Sequence, residues 1–403
     1  MAYSLYIIRL KNRLQTLCTL LLLSLLLLTA FGCGHDEDFP VPEPSTVNKT
    51  LFMFFPWTGS ATSSGLYHNF LTNIAGVEAA IEKGKSAPNT RTIVLIADSR
   101  ESAKMFEIVY DADKGKCSHK IVKQYKALEM TGKGLQEYIG EMKRYSPTPL
   151  YAMIMGAHGS GWIPKTEKEK RSRSIGGLTY TEQLNISEIA YAISSNGIKM
   201  QFICFDDCYM SNIELAYELK DAANYLIAST SEIMEEGLPY QDVFQYMAAQ
   251  TPDYKAITDG FLGYYTIAKY PYGSLSVIDC AYATSMAQVL RQMNTSGITA
   301  PEASTLSAQD GETACRFYDL GNYLREYNHN LRMADRDTVE YRSVMERLIP
   351  SAVKTPHLFT VYRGWDGSVY DVSAYSGITI SDPSTAPKVI RSKSETSWWK
   401  ATH

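Results

Sequence analysis

Two stretches decide the fold: Leu150-Tyr-Ala-Met-Ile-Met-Gly-Ala-His-Gly-Ser-Gly-Trp162 and Met200-Gln-Phe-Ile-Cys-Phe-Asp-Asp-Cys-Tyr-Met210. Each opens with six mostly apolar residues, the length and character of a strand buried on both faces. Further runs of this kind are Leu51–Phe55, Thr92–Ala97, Phe106–Tyr110 and Tyr225–Ser229. Segments of helical period lie between most of them: Phe70–Glu82, Gly134–Lys143, Ile186–Ser194 and Ile213–Ala222. Buried strands alternating with helices predict an α/β fold, a mostly parallel sheet sandwiched by helices. The Phe106 run follows the Thr92 run so closely that those two are expected to form a hairpin. Past residue 270 the pattern changes. Ser274–Ile278 reads as one more strand and Ala281–Met293 as a helix. Helices over Cys315–Tyr327 and Val339–Leu348 then mix with short strands at His357–Tyr362 and Ser376–Ile380. The expected layout is a main domain over 51–300 and a smaller C-terminal α+β subdomain over 301–403.

In open α/β sheets, functional residues collect at the carboxyl ends of strands. The first stretch ends in His158 flanked by Gly159 and Ala157, and the second in Asp206, Asp207 and Cys208. Glycine beside His158 lets backbone approach a ligand closely. Cys208 precedes a helix whose start carries Ser211 and, three residues on, Glu214, the signature of a capping box. A helix N-terminus near a cysteine favours its thiolate. Cysteine and histidine on neighbouring strand ends form a candidate nucleophile and general acid/base. Strand alternation points Asp206 and Cys208 the same way and Asp207 the other, so an acid beside the nucleophile can hold a basic group. A disulfide between Cys204 and Cys208 is excluded by extension, since four residues of strand span about 13 Å. Disulfide Cα atoms lie within about 7 Å. Zinc at His158 and Cys208 lacks further ligands at the usual spacing, so no metal site is assigned.

The bulk composition is that of an ordinary globular chain: 403 residues, 45% hydrophobic, 20% charged. A net charge of −4 argues against a nucleic-acid partner. At the N-terminus, Arg9, Lys11 and Arg13 precede the leucine-rich stretch Leu14–Phe31, which ends in Gly32-Cys33. This resembles a bacterial lipoprotein signal over residues 1–33, with Cys33 lipidated; an uncleaved signal anchor is the alternative. Asp36-Glu37-Asp38 behind it looks like a surface-export signal. Residues 34–50, polar and containing Pro40, Pro42 and Pro44, read as a flexible tether. Seven cysteines less Cys18 and Cys33 leave an odd five, so at least one thiol has no partner within the chain.

His158-Gly-Ser-Gly-Trp162 and Phe205-Asp-Asp-Cys-Tyr-Met210 resemble the two catalytic motifs of the clostripain family of cysteine peptidases, in the clan of caspases, gingipains and legumain. Ala228–Tyr240 also resembles a stretch downstream of the family cysteine, so the likeness runs over about 51–240. It implies a caspase-like fold and peptide hydrolysis after Arg or Lys. By that resemblance His158 and Cys208 match the dyad, and the N–H groups of Gly159 and Cys208 the oxyanion donors. Asp206 matches an acid that holds the P1 side chain, and Glu232, Glu235 and Glu236 are candidates for a second. The loop bearing Arg171 and Arg173 lies where family members are often cut, although an exposed variable loop is an equal reading. The expected partners are protein or peptide substrates, plus a membrane through the N-terminal lipid. The expected location is the outer membrane or cell surface. No cofactor is required; some family members depend on calcium. The rivals are a catalytically silent binding or assembly lipoprotein and a same-clan peptidase or transpeptidase of different P1 preference.

Overall fold

The apolar runs become the inner strands of a nine-stranded sheet in the computed structural model, which describes residues 47–59, 65–84, 89–165, 175–177, 179–312, 314–363 and 368–403. The strands before the first motif are β1 (Lys49–Phe55), β2 (Thr90–Ala97), β3 (Ala103–Asp111) and β4 (Lys116–Tyr125). Then come β5 (Leu150–Gly156) and three two-residue strands, β6 (His158–Gly159), β7 (Ile175–Gly176) and β8 (Gln183–Leu184). They are followed by β9 (Met200–Asp206), β10 (Ala223–Ala228), β11 (Ser274–Asp279), β12 (Tyr318–Asp319) and β13 (Ser351–Lys354). The last are β14 (Leu358–Phe359), β15 (Val369–Tyr370) and β16 (Thr379–Ile380). The sheet order is β13-β11-β10-β9-β5-β1-β2-β3-β4. Its five inner strands, β10 to β2, run parallel, and an antiparallel pair closes each edge. The predicted hairpin is β2–β3.

Parallel inner strands need helical crossovers, so both faces are covered and both sets of alternating side chains are apolar. Leu51, Met53 and Phe55 of β1 join Ile154, Phe202 and Cys204 in one buried cluster with helices Tyr67–Gly84, Tyr240–Ala248 and Tyr254–Ile267. On the other face Phe54 stacks on Tyr138 of helix Gly132–Tyr145. That helix neighbours Ile186–Ser194, which neighbours Ile213–Leu219. Lys49 begins β1 fully buried, which the tether assignment did not anticipate. Its Nζ donates to the Met247 and Ala249 carbonyls at 2.7 and 2.8 Å, satisfying the open end of helix Tyr240–Ala248. Burial lowers its pKa to about 7.

The C-terminal segment contributes a strand to this sheet. The described residues from 47 onward belong to one compact unit, and β13 supplies an edge strand. The helix expected from Cys315 starts at Leu320, where Asp319 accepts the Asn322 N–H as N-cap. The helix expected from Val339 covers Arg342–Leu348. The smaller sheets are β12–β16, β14–β15 and β6–β7–β8.

Candidate active site

The parallel register of β5 and β9 pairs Gly156 with Asp206, so His158 and Cys208 each lie two residues beyond that pair. Two contacts lock the strand ends together past it. The Ala157 N–H donates to the Asp207 carboxylate. Gly159 comes so close that a Cβ there would sit 2.6 Å from the Cys208 carbonyl oxygen and 2.8 Å from Asp207 Cβ. His158 then pairs with Gly176 in the small sheet. From Tyr151 to Ile163 every residue is buried except His158, and from Phe202 to Ala216 every residue is buried except Cys208. Two polar groups of matching chemistry are thus the points at which two adjacent, otherwise closed strand ends meet solvent.

The chain turns sharply behind the cysteine. Tyr209 adopts φ of 63°, a left-handed conformation costing about 1–2 kcal/mol in a non-glycine residue. Its N–H donates to the Ser231 carbonyl at 2.9 Å, and its hydroxyl donates to Glu232 Oε1 at 2.8 Å. Its ring lies on Phe317, with the Arg316 guanidinium 5.1 Å from the ring centre. These contacts hold the kink and leave the Cys208 thiol beside the Ile233 carbonyl, 3.8 Å away.

The expected capping box does not form. Asn212 is the N-cap of helix Ile213–Leu219, without a side-chain capping bond; its Nδ2 donates back to the Tyr209 carbonyl at 2.7 Å. Ser211 Oγ donates instead to the Gly377 carbonyl at 2.7 Å, and buried Glu214 accepts the Ser381 N–H at 2.6 Å. Thr379 N–H and Oγ1 both donate to the Ser211 carbonyl, and Trp162 Nε1 donates to Ser381 Oγ at 2.8 Å. The segment 377–381 therefore ties the His158 motif to the helix following Cys208. A tertiary partner outcompetes the local cap because Glu214, once buried, must find a donor.

Burial, together with neighbouring Asp382, raises the pKa of Glu214, and burial raises that of Asp382, against the pull of Lys393. A carboxyl whose folded pKa lies above its unfolded value lends stability that is full at low pH and lost as pH rises through the folded pKa. Thermal melts should therefore fall with pH above 5, with a slope of about 1.4 kcal/mol per pH unit for each proton released. Glu214→Gln should flatten that slope while leaving the melt at pH 5 nearly unchanged. An identical slope in both proteins would refute this.

The acids near Cys208 separate clearly. Asp206 is 8% exposed and accepts the Leu238 N–H at 3.1 Å and the Tyr240 hydroxyl at 2.8 Å. Burial raises its pKa to about 6, opposed by those two donors. Asp207 points the other way, as alternation predicts, toward Ala157; burial and then Asp206 hold its pKa well above the carboxylate range. Glu232 is buried, its Oε1 accepting from Tyr209, Thr360 (2.9 Å) and the Val361 N–H (3.0 Å). Glu235 is exposed, whereas Glu236 is half-buried and acts electrostatically on Tyr265. Asp206 and Cys208 act on the same Tyr265 hydroxyl. Asp206, Glu236 and Cys208 thus share one neighbourhood.

None of the five described cysteines is joined in a disulfide, and Cys204 is a buried residue of the sheet core. Among the described residues no group of three or more His, Cys, Asp or Glu side chains is placed to hold a metal ion, and no helix is long and apolar enough to cross a membrane. Cys33, Arg171 and Arg173 lie outside the described residues.

The model of the clostripain family matches residues 75–347. The chain belongs to the clostripain family. It is a cysteine-type peptidase. Among solved structures, a secreted C11 cysteine protease from Bacteroides thetaiotaomicron, "iotapain", is 34% identical, with a TM-score of 0.79 over 89% of this chain and 100% of that one. A clostripain from Bacteroides thetaiotaomicron ATCC 29148 in complex with a peptide inhibitor is 36% identical, with a TM-score of 0.52 over 57% of this chain and 99% of that one. An inactive zymogen C11 protease from Parabacteroides distasonis shares the fold at 24% identity, with a TM-score of 0.73 over 89% and 99%. No curated protein sequence matches the chain. The caspase-like sheet of this clostripain-family peptidase is that of its relatives, with the additional C-terminal ribbons described above.

Proposed function

We propose that the protein is an endopeptidase cleaving after Arg or Lys, with Cys208 as nucleophile and His158 as general acid/base. The observation that carries the dyad is exposure: His158 and Cys208 alone break two buried strand ends held side by side. In the reaction His158 takes the Cys208 thiol proton, the thiolate sulfur attacks the scissile carbonyl carbon, and the carbonyl π electrons move to oxygen. The N–H groups of Gly159 and Cys208 stabilise that oxyanion. The intermediate collapses to a thioester as the amine leaves with a proton from His158. Water, deprotonated by His158, then attacks the thioester and releases the acid and the thiol.

For the P1 side chain, Asp206 supplies the first acid and Glu236 the second. The assignment of Glu236 rests on its sharing the Asp206–Cys208 neighbourhood, whereas Glu232 is engaged in holding Tyr209 and Glu235 faces solvent. The inhibitor bound to the 36% identical relative is written BTN-VLTK-AOMK, a peptide whose letters end in lysine, which supports a basic P1 here. Reporter peptides differing only at P1 test this. Arg and Lys should exceed Asn, Asp and Ala by about a hundredfold in kcat/KM, the scale of a buried charge pairing. Asp206→Ala should erase most of that margin, and wild-type turnover of Asn or Asp at the Arg rate would overturn the P1 assignment.

Export followed by lipid attachment at Cys33 completes the proposal, supported by the Gly32-Cys33 signal and by the relative described as secreted. Cleavage at Arg171 or Arg173 by the protein's own specificity is part of the same reading. Mass spectrometry of the mature protein decides both: a lipid mass on Cys33 and a new end at residue 172 or 174 are expected.

A further inference from the structure

We propose that Tyr240 is a positioning residue for substrate specificity: its hydroxyl, with the Leu238 N–H, keeps the single negative charge of the Asp206–Asp207 pair on Asp206. This rests on the P1 role of Asp206 proposed above and adds to it the device that makes that role work. Two adjacent carboxyls at one buried strand end do not both stay ionised, because each desolvated charge repels the other. Which of them keeps the charge depends on donors. Asp206 receives the Tyr240 hydroxyl at 2.8 Å on Oδ2 and the Leu238 N–H at 3.1 Å on Oδ1. Asp207 receives the Ala157 N–H on Oδ1, while its buried Oδ2 has no hydrogen-bond partner among the described residues. The asymmetry sends the proton to Asp207, which points at the strand, and the charge to Asp206, which shares the Cys208 neighbourhood.

The turn that delivers these donors is built to the same end. Gly237 adopts φ of 68°, and a Cβ there would sit 2.6 Å from Asp206 Oδ2, so only glycine leaves room for the carboxylate. The Tyr265 hydroxyl donates to the Gly237 carbonyl at 2.8 Å and fixes the peptide whose next N–H reaches Asp206. The titratable groups facing Asp206 are Asp207 and Cys204 on its own strand and Tyr240 at the start of its helix. Tyr265 faces it from the following helix, and Cys208 and Glu236 act beside it through that tyrosine. Against burial, which favours the protonated form, the Tyr240 hydroxyl and the Leu238 N–H are the two donors that hold the Asp206 carboxylate charged. Removing the Tyr240 hydroxyl therefore moves the charge off Asp206 near neutral pH.

The experiment is steady-state kinetics from pH 5 to 9 on the full chain and on Tyr240→Phe, with P1-Arg and P1-Ala reporters and with iodoacetamide labelling of Cys208. In wild type, KM for the Arg reporter should rise as pH falls through about 6, while the Ala reporter lacks that limb. In Tyr240→Phe the acid limb should move up by about one pH unit, so KM for Arg should rise about twofold at pH 7 and about tenfold near pH 5, while kcat should stay within about twofold. Cys208 labelling should be unchanged. An unshifted limb with unchanged KM overturns the inference, as does a parallel loss of kcat, KM and labelling, which marks a role in folding alone. Should Tyr240→Phe fail to fold, the wild-type Arg limb decides by itself, and its absence refutes the assignment. A wild type that cleaves no basic reporter refutes instead the P1 reading on which the inference rests.

Discussion

Cys208→Ala is expected to lower turnover of an Arg reporter by at least about 10⁴-fold, the scale of losing a covalent nucleophile while binding and oxyanion stabilisation persist. The fold should survive. The thiol is partly exposed and donates weakly to the Ile233 carbonyl at 3.8 Å, so the substitution removes little buried area. A melting temperature within about two degrees of wild type, with no turnover, is the anticipated pair of results. His158→Ala should lose a comparable factor, and the double variant little more than either single one, because residues acting as a unit are not additive. Full turnover by Cys208→Ala would sink the mechanism outright.

Gly159→Ala carries the second large effect, and it acts without touching a reactive atom. The added methyl would meet the Cys208 carbonyl oxygen at 2.6 Å and Asp207 Cβ at 2.8 Å, with Met210 Sδ at 3.1 Å behind them. The first two belong to or adjoin a backbone pinned by Tyr209, so neither can swing away. The strand ends must part by some tenths of an ångström, separating His158 from Cys208. Displacements on this scale cost about 10²-fold in rate when two groups must stay in line, and overpacking a closed site costs about 1–3 kcal/mol of stability. Gly263→Ala is the control: it is exposed in mid-helix with nothing within 4 Å of an added Cβ. It should leave activity intact and raise stability by about 0.5–1 kcal/mol. Equal activity of the two alanine variants would show that close approach at Gly159 is not needed.

Much of this architecture is legible in the chain, and the parts that are not have physical reasons. The five inner strands announce themselves because burial on both faces turns them into continuous apolar runs. Strand β4, Lys116–Tyr125, hides because it is the polar edge of the sheet, with Lys116, Ser118 and Lys120 among its exposed residues. The helices Tyr240–Ala248 and Tyr254–Ile267 are rich in tyrosine, whose rings pack while their hydroxyls find partners such as Asp206 and Gly237. A strand as short as Ser351–Lys354 has too few residues to show a period.

The amino-acid sequence alone determined that a histidine and a cysteine end two buried parallel strands, and that an acid two residues before the cysteine shares its side. Those facts follow from apolar runs and from the two-residue alternation of a strand, both local properties. Only the tertiary structure gave the glutamates different surroundings, engaging Glu232 with Tyr209 and Thr360 and bringing Glu236, like Asp206 and Cys208, within electrostatic reach of Tyr265. It also diverted Ser211 and Glu214 from a helix cap to the segment 377–381, and it supplied Tyr240 as the donor to Asp206. Each of these depends on which distant group a buried polar atom meets, and desolvation makes that meeting obligatory without revealing the partner in the local pattern.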